Sequence, residues 1–341
     1  MGDKTSIEWT RGADGSKGAT WNPIRARNKA TGKMGWHCAH VSPGCINCYA
    51  ENINKRLGTA LPFKPSHERD IEIFLDEAML FAPLRWKRPR NIFVGSMTDL
   101  FADFVTDSML DRVFAVMALA PWHVYQVLTK RSARMRRWAN DPDTPRRIEA
   151  WITAIAQTPS RRKMAPALAS IPLGKVCIGL VWPLPNVWLG VSAEDQQRAD
   201  ERRDDLAVLA AQGWTTFVSY EPALGSVDWT GWDFLKWFIG GGESGRDARP
   251  SHPDWHRAAR DFCGPRGVAY FFKQWGEWIC ADGVGPDHPE LIRFQQEIME
   301  RRPDLVRSGD GVSDSFARVG KRRAGRRLDG VEHNAFPEMA K

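Results

Sequence analysis

The sequence predicts an α/β fold, a partial (β/α) barrel of parallel strands that is TIM-barrel-like, and three observations carry this. Short apolar segments alternate with helical patterns, an order that implies parallel pairing through right-handed crossovers. Six of these segments run directly into a charged residue: Asp99, Lys130, Glu194, Glu221, Glu243 and Lys273. In a parallel α/β barrel the C-terminal strand ends converge on one mouth, where catalysis sits. Ahead of the first of them lies a loop with three cysteines, Cys38, Cys45 and Cys48, spaced C-x6-C-x2-C.

Taken in order, the first strand is expected upstream of Cys38, at Thr20-Trp21-Asn22-Pro23 or at Gly35-Trp36. A helix should follow the cysteine loop from about Tyr49 through Arg56. Residues 58–90 interrupt the rhythm and predict a helix from Asp76 to Trp86 between basic, Pro-rich ends. Strands follow at Asn91–Gly95, His123–Leu128, Asn186–Val191, Thr215–Ser219, Lys236–Ile239 and Val268–Phe272. Leu110, Val113, Phe114, Met117 and Leu119 recur at helical spacing between the first two. A polar helix is expected through Arg198 and Leu206 to Ala211, and another from Trp255 to Phe262. Residues 138–185 read as an insertion rich in Pro, Ala and Arg. The barrel is assigned to residues 1–280, and the charged, Gly-rich residues 281–341 to an appended, partly flexible extension.

Composition narrows the function. In 341 residues, 43% are hydrophobic and 26% charged, ordinary for a globular protein with a sizeable core. No apolar run is long enough to span a membrane. The N-terminus lacks the charged-then-apolar pattern of a secretory signal, so the expected location is cytoplasmic. Six cysteines are too few for a secreted disulfide scaffold, and three of them clustered read as a metal or catalytic site. Cys177, Cys263 and Cys280 are scattered and read as packed thiols. The net charge of +7 gathers at Lys130, Arg131, Arg134, Arg136 and Arg137, and again at Arg318, Lys321, Arg322, Arg323, Arg326 and Arg327. Such clusters are the footprint of a nucleic-acid binder, or else a solvated face and a flexible tail.

The cysteine loop is the strongest local signal. Three thiolates can hold three irons of a [4Fe–4S] cluster and leave the fourth open for a substrate or cofactor. Zinc is the competing ion, because His37 and His40 flank Cys38 and could complete a tetrahedral set. Only Cys45-x2-Cys48 forms the close pair that structural zinc sites use, and three packed thiols without metal are a third reading. The run Gly240-Gly241-Gly242-Glu243 would let backbone approach a ligand closely, but it lacks the Lys-Ser/Thr of a phosphate loop.

The segments Thr5-Ser6-Ile7-Glu8-Trp9-Thr10, Ala19-Thr20-Trp21-Asn22-Pro23 and Val41–Glu51 resemble the phage Gp37/Gp68 family. So do Gly95–Phe101, Leu128–Arg131, Leu189–Ser192, Tyr220-Glu221-Pro222 and Gly240–Ser244, which extends the resemblance over roughly residues 5–280. That family is a domain of unknown function related to the radical S-adenosylmethionine (SAM) superfamily. The motifs after the strands at Asn91 and His123 are also similar to those of spore photoproduct lyase-like radical SAM proteins, which work on DNA pyrimidines. The cysteine spacing departs from the superfamily's C-x3-C-x2-C by three residues.

The resemblance implies a radical SAM-type enzyme in which Cys38, Cys45 and Cys48 ligate a [4Fe–4S] cluster and SAM chelates its open iron. Tyr49, Ser96, Asp99, Lys130, Ser192 and Glu194 are then the SAM-binding candidates, with Lys130 as the cation for its carboxylate. Glu221 and Glu243 become acid–base groups, substrate anchors or partners for Lys and Arg, and Tyr220 a hydrogen-atom relay. A nucleotide or nucleic-acid substrate and a cellular electron donor complete the expectation. The alternatives are a zinc-stabilised nucleic-acid-binding protein without catalysis and a degenerate barrel acting as a partner protein.

Overall fold

The computed structural model describes residues 5–12, 15, 18–157, 179–284, 287–290, 292–293 and 316–338. The chain divides into two compact units. Unit 1 holds the described residues up to Val191 together with Arg202–Thr216, and unit 2 holds Ser192–Glu201 and the described residues from Phe217 onward. The central element is a seven-stranded parallel sheet, the partial barrel that the alternation of strands and helices predicts. Its strands follow one another in chain order, so each adds beside the last. A doubly wound sheet would reverse direction at a switch point.

In unit 1 the sheet begins with β1 (Ala19–Trp21). The chain then leaves it for a three-stranded antiparallel sheet of β2 (Ile24–Asn28), β3 (Met34–Gly35) and β4 (Ile71–Leu75), ordered β3-β2-β4. This sheet was not expected from the sequence. Its period-2 signal is present in β2, where Ile24, Ala26 and Asn28 are buried and Arg25 and Arg27 alternate outward. Asn28 caps the hairpin, its Oδ1 accepting from the N–H groups of Ala30 (3.0 Å) and Thr31 (3.2 Å).

The helix after the cysteine loop is α1 (Tyr49–Leu57), within a residue of the expected end. The single helix expected over Asp76–Trp86 is instead two short ones, α2 (Glu77–Leu80) and α3 (Ala82–Arg85). Pro83 explains the break, since it has no N–H to donate to the carbonyl four residues back and its ring crowds that group. The carbonyl is that of Met79, and it accepts the Trp21 indole N–H at 2.8 Å instead.

The sheet resumes with β5 (Asn91–Val94), β6 (Val124–Thr129) and β7 (Val187–Ser192), all close to expectation. Between them, α4 (Asp107–Leu119) buries the predicted Leu110, Val113, Phe114, Met117 and Leu119, and Thr106 caps its start. The helices α5 (Ser132–Ala139) and α6 (Thr144–Gln157) follow, so the expected insertion is helical in its first part. Residues 158–178 of that insertion, Cys177 among them, lie outside the described residues.

A polar helix, α7 (Gln196–Ala211), leads on to β8 (Thr215–Tyr220). Unit 2 continues with β9 (Trp237–Gly241), α8 (Pro253–Cys263) and β10 (Ala269–Gln274). The glycine run at the end of β9 has a packing reason. A Cβ on Gly242 would lie 2.0 Å from the Trp275 carbonyl oxygen, and one on Gly240 would press on Tyr270 and His256. The close approach read as ligand contact is an approach of neighbouring chain.

Much of the expected extension is folded into unit 2. β11 (Trp278–Cys280) pairs antiparallel with β12 (Phe316–Arg318), and β13 (Arg327–Leu328) with β14 (Val331–Glu332). Asp329 receives the guanidinium groups of both Arg257 and Arg260 at 2.6 Å, and Phe336 packs on Trp237 with ring centroids 5.1 Å apart.

Candidate functional site

The cysteine loop is tied down at both ends. Asn54 of α1 is wholly buried. Its Oδ1 accepts from the N–H of Trp36 at 2.9 Å, and its Nδ2 donates to Thr59 Oγ1 and to the Leu61 carbonyl. Cys45 lies in a short 3₁₀ turn, Pro43–Cys45, and Cys48 is the N-cap of α1. Cys38, Cys45, Cys48 and Cys263 are free thiols. Cys38 and Cys48 pack against the buried cluster of Trp36, Ala50, Phe63 and Met97.

The three loop thiols are electrostatic neighbours, for Cys48 acts on Cys38 and Cys45 acts on Cys48. Burial pushes the Cys38 thiol up to about 12, with the Asp99 carboxylate adding to the rise; the Arg131 guanidinium and the Asp99 N–H oppose it. Burial raises Cys48 as well. Against it stand the backbone N–H groups of Glu51 and Ala50, the favourable surroundings that a helix N-terminus gives a thiolate, and the Lys130 ammonium.

Of the two histidines of the zinc alternative, only His40 is engaged by a hydrogen-bonding partner among the described residues. His40 Nε2 pairs with Glu51, which also holds Lys55. His37 is buried between Phe63 and Phe104, and its Nε2 has no hydrogen-bond partner. Burial lowers its pKa to about 4, so it is neutral at physiological pH. Among the described residues, no three His, Cys, Asp or Glu side chains converge on a point where a single ion could sit.

Beside the loop, the ends of β1, β5 and β6 are joined through two side chains. Asn22 binds Ser96 Oγ at 3.0 Å and accepts from the Met97 N–H at 2.9 Å; the Tyr49 hydroxyl donates to the Ser96 carbonyl at 2.8 Å. Asp99 is the larger hub. Its Oδ1 accepts from Thr129 Oγ1 (2.7 Å) and the Phe101 N–H (3.0 Å), and its Oδ2 from the Lys130 N–H (3.0 Å) and Arg131 Nη1 (2.9 Å). Arg131 Nη2 then reaches the Ala39 carbonyl at 3.1 Å. The structure therefore brings Cys38, Cys45, Cys48, Tyr49, Ser96, Asp99 and Lys130 together in unit 1. Both oxygens of Asp99 are spent on holding loops in place.

The remaining candidates belong to unit 2. Glu221 accepts from Lys273 Nζ at 2.6 Å and Gln274 Nε2 at 3.3 Å. Glu243 is buried and clamped by Arg249, which donates its backbone N–H and Nε at 2.8 Å to Oε2 and Nη2 at 2.6 Å to Oε1. Glu194, also buried, acts electrostatically on the same guanidinium. Ser192 closes β7 and is buried. Tyr220 has no exposed surface, its hydroxyl donates to the Gly225 carbonyl, and burial raises its pKa far above the ordinary value. Enclosed in this way, Tyr220 serves the loop that follows β8.

The sequence reading missed Arg131, Arg249, Asn22 and Asn54 as site residues. Arg131 had a signal, because it follows Lys130 directly at a strand end, but it was counted with the basic cluster. That cluster is largely consumed inside unit 1. Besides Arg131, Arg134 binds the Ala102 and Val105 carbonyls and Asp107, and Arg136 pairs with Asp205 at 3.1 Å. In the C-terminal cluster, Arg318 donates to the Gly245 and Arg246 carbonyls, and Arg326 to Asn334.

A family match spans residues 4–337. The chain belongs to the DUF5131 family. Its description is a protein of unknown function, so DUF5131 membership fixes kinship over nearly the whole chain and leaves the reaction open. No curated protein and no solved structure matches this DUF5131 chain. Among the described residues, none of its helices is long and apolar enough to cross a membrane.

Proposed function

We propose that this chain is a radical SAM-type enzyme whose [4Fe–4S] cluster is held by Cys38, Cys45 and Cys48. The observation that carries the reading is the trio of free, neighbouring thiols on one fixed loop beside the strand ends of a partial parallel barrel. The donor set fits the group. Soft sulfur ligands favour iron–sulfur clusters, and each thiolate takes its own iron, so the three need not meet at one point as a single ion requires. Bound there together with SAM, such a cluster would supply radical chemistry for hydrogen abstraction from a substrate.

The chain's own residues bind and orient. Lys130, whose charge reaches Cys48, is the cation for the SAM carboxylate. Tyr49, half exposed and anchored to the Ser96 carbonyl, offers a ring face for the adenine. Asp99 fixes the loops that carry Lys130 and the thiols. In unit 2, Glu221 shares its charge with Lys273 and is the acid–base candidate, while Glu243 is held by Arg249, on whose charge Glu194 also acts. The resemblance to the phage Gp37/Gp68 family and to spore photoproduct lyase-like proteins supports a nucleotide or nucleic-acid substrate, with a cellular electron donor.

The test is iron, sulfide and zinc content after anaerobic purification, with EPR of the dithionite-reduced protein. The expected result is a [4Fe–4S] signal that changes on adding SAM and is lost when all three cysteines are changed to serine. Stoichiometric zinc with no iron uptake would instead establish the metal-stapled binding protein.

A further inference from the structure

Arg131 touches no expected ligand, yet its side chain links the cysteine loop to the strand-end hub through direct hydrogen bonds at both ends. Its Nη1 binds Asp99 Oδ2 at 2.9 Å and its Nη2 the Ala39 carbonyl at 3.1 Å, one residue beyond Cys38. Its own backbone is fixed as well, the N–H donating to Thr129 Oγ1 at 2.9 Å, and that hydroxyl donates in turn to Asp99. The side chains of Arg131 and Asp99 are only 11% and 8% exposed.

We propose that Arg131 is a positioning residue that clamps the Cys38–Ala39 segment to Asp99, setting the first cluster thiol in place and keeping a fixed positive charge beside it. The assignment of a cluster rests on the function proposed above; the clamp itself does not. The guanidinium suits the role because its planar fork bonds two acceptors in fixed directions at once and stays charged when buried. Lysine, a point charge on a flexible stem, keeps the charge and loses the fork. The second half of Cys-x6-Cys-x2-Cys needs no such clamp, because the 3₁₀ turn at Cys45 and the start of α1 at Cys48 already fix it. The three extra residues between the first two cysteines make the first one the thiol that needs outside support.

The test compares wild type with Arg131→Met, Arg131→Lys and, as a control on the exposed side of α5, the helix that Arg131 precedes, Arg137→Met. Hydrogen exchange of the metal-free proteins reads the clamp directly. Amides over Ala39–Ser42 should exchange about tenfold or more faster in Arg131→Met, the scale of losing one charge-assisted hydrogen bond, while Val124–Thr129 and the Arg137→Met protein stay as in wild type. After anaerobic reconstitution, Arg131→Met should hold less iron. Its residual cluster should be harder to reduce, because a reduced cluster carries one more negative charge with one cation fewer beside it. Arg131→Lys should recover the potential but not the exchange protection, a split that a purely structural residue does not give. Unchanged exchange in the loop, a speed-up spread over all of unit 1, or an unmoved potential in Arg131→Met would each overturn the proposal. If loop exchange responds as expected while wild type takes up no iron, the clamp stands and the cluster reading falls.

Discussion

Asp99 shows how a residue read from sequence as a ligand for a cofactor can be consumed by its own fold. Four donors meet its carboxylate, and one of them is a guanidinium that is itself nearly buried. Asp99→Asn should cost about 3 kcal/mol, because it strands the Arg131 charge and turns one carboxylate oxygen into a donor facing other donors. A matching fall of the urea midpoint at unchanged m-value is the expected reading. The buried histidines give a pH signature. Burial lowers His123 to about 4, and burial with the nearby His252 lowers His256 to about 3. Both stay neutral when folded at pH values where the unfolded chain protonates near 6.5. Their contribution is therefore complete above 6.5 and is lost as pH falls toward 3–4, each adding up to about 1.4 kcal/mol per pH unit. Urea unfolding between pH 7 and 5 should show that slope. It should be shallower in His123→Gln, which keeps a donor for the Pro83 carbonyl that His123 Nε2 meets at 3.1 Å.

At the scale of elements, strands and helices were legible where burial on both faces leaves a continuous apolar run. β5 through β10 lie within about two residues of the segments the sequence predicts. The small antiparallel sheet was hidden because β2 carries Arg25 and Arg27 outward and leaves only two apolar residues inward. The helix over Asp76–Trp86 was over-extended because its apolar pattern continues through the proline that splits it. The glycines after β9 are set by packing, and that gives a sharp contrast. Gly242→Ala, whose Cβ would meet the Trp275 carbonyl at 2.0 Å, should lower stability by at least about 2 kcal/mol. Gly264→Ala, which adds its Cβ to open space at the end of α8, should stay within about 0.5 kcal/mol of wild type in the same thermal melts.

For the whole molecule, the described residues 316–338 pack onto the core of unit 2. Phe336 lies against Trp237 and Phe271, the Ala335 carbonyl accepts the Trp237 indole N–H at 2.9 Å, and Asp329 neutralises two arginines of α8. Phe336→Ala should cost about 1–3 kcal/mol. Hydrogen exchange should place the loosening in β9 and β10, with unit 1 unaffected. Protection unchanged in those strands would show the segment to be an accessory to unit 2.

The sequence by itself determined the α/β class, the order of the parallel strands and the trio of thiols, because each is written in local periodicity or spacing. Only the tertiary structure decided what the charged residues do. Asp99 and Arg131 are 32 residues apart in the chain, and Arg131 and Ala39 are 92 apart. Pairings of that kind have no local signature, since a carboxylate at a strand end looks the same in one sequence whether it faces a ligand or a guanidinium. The same holds for Glu243, whose clamp by Arg249 depends on how the chain turns after β9. Desolvation decides these cases: a nearly buried charge must find a partner, and the fold chooses which.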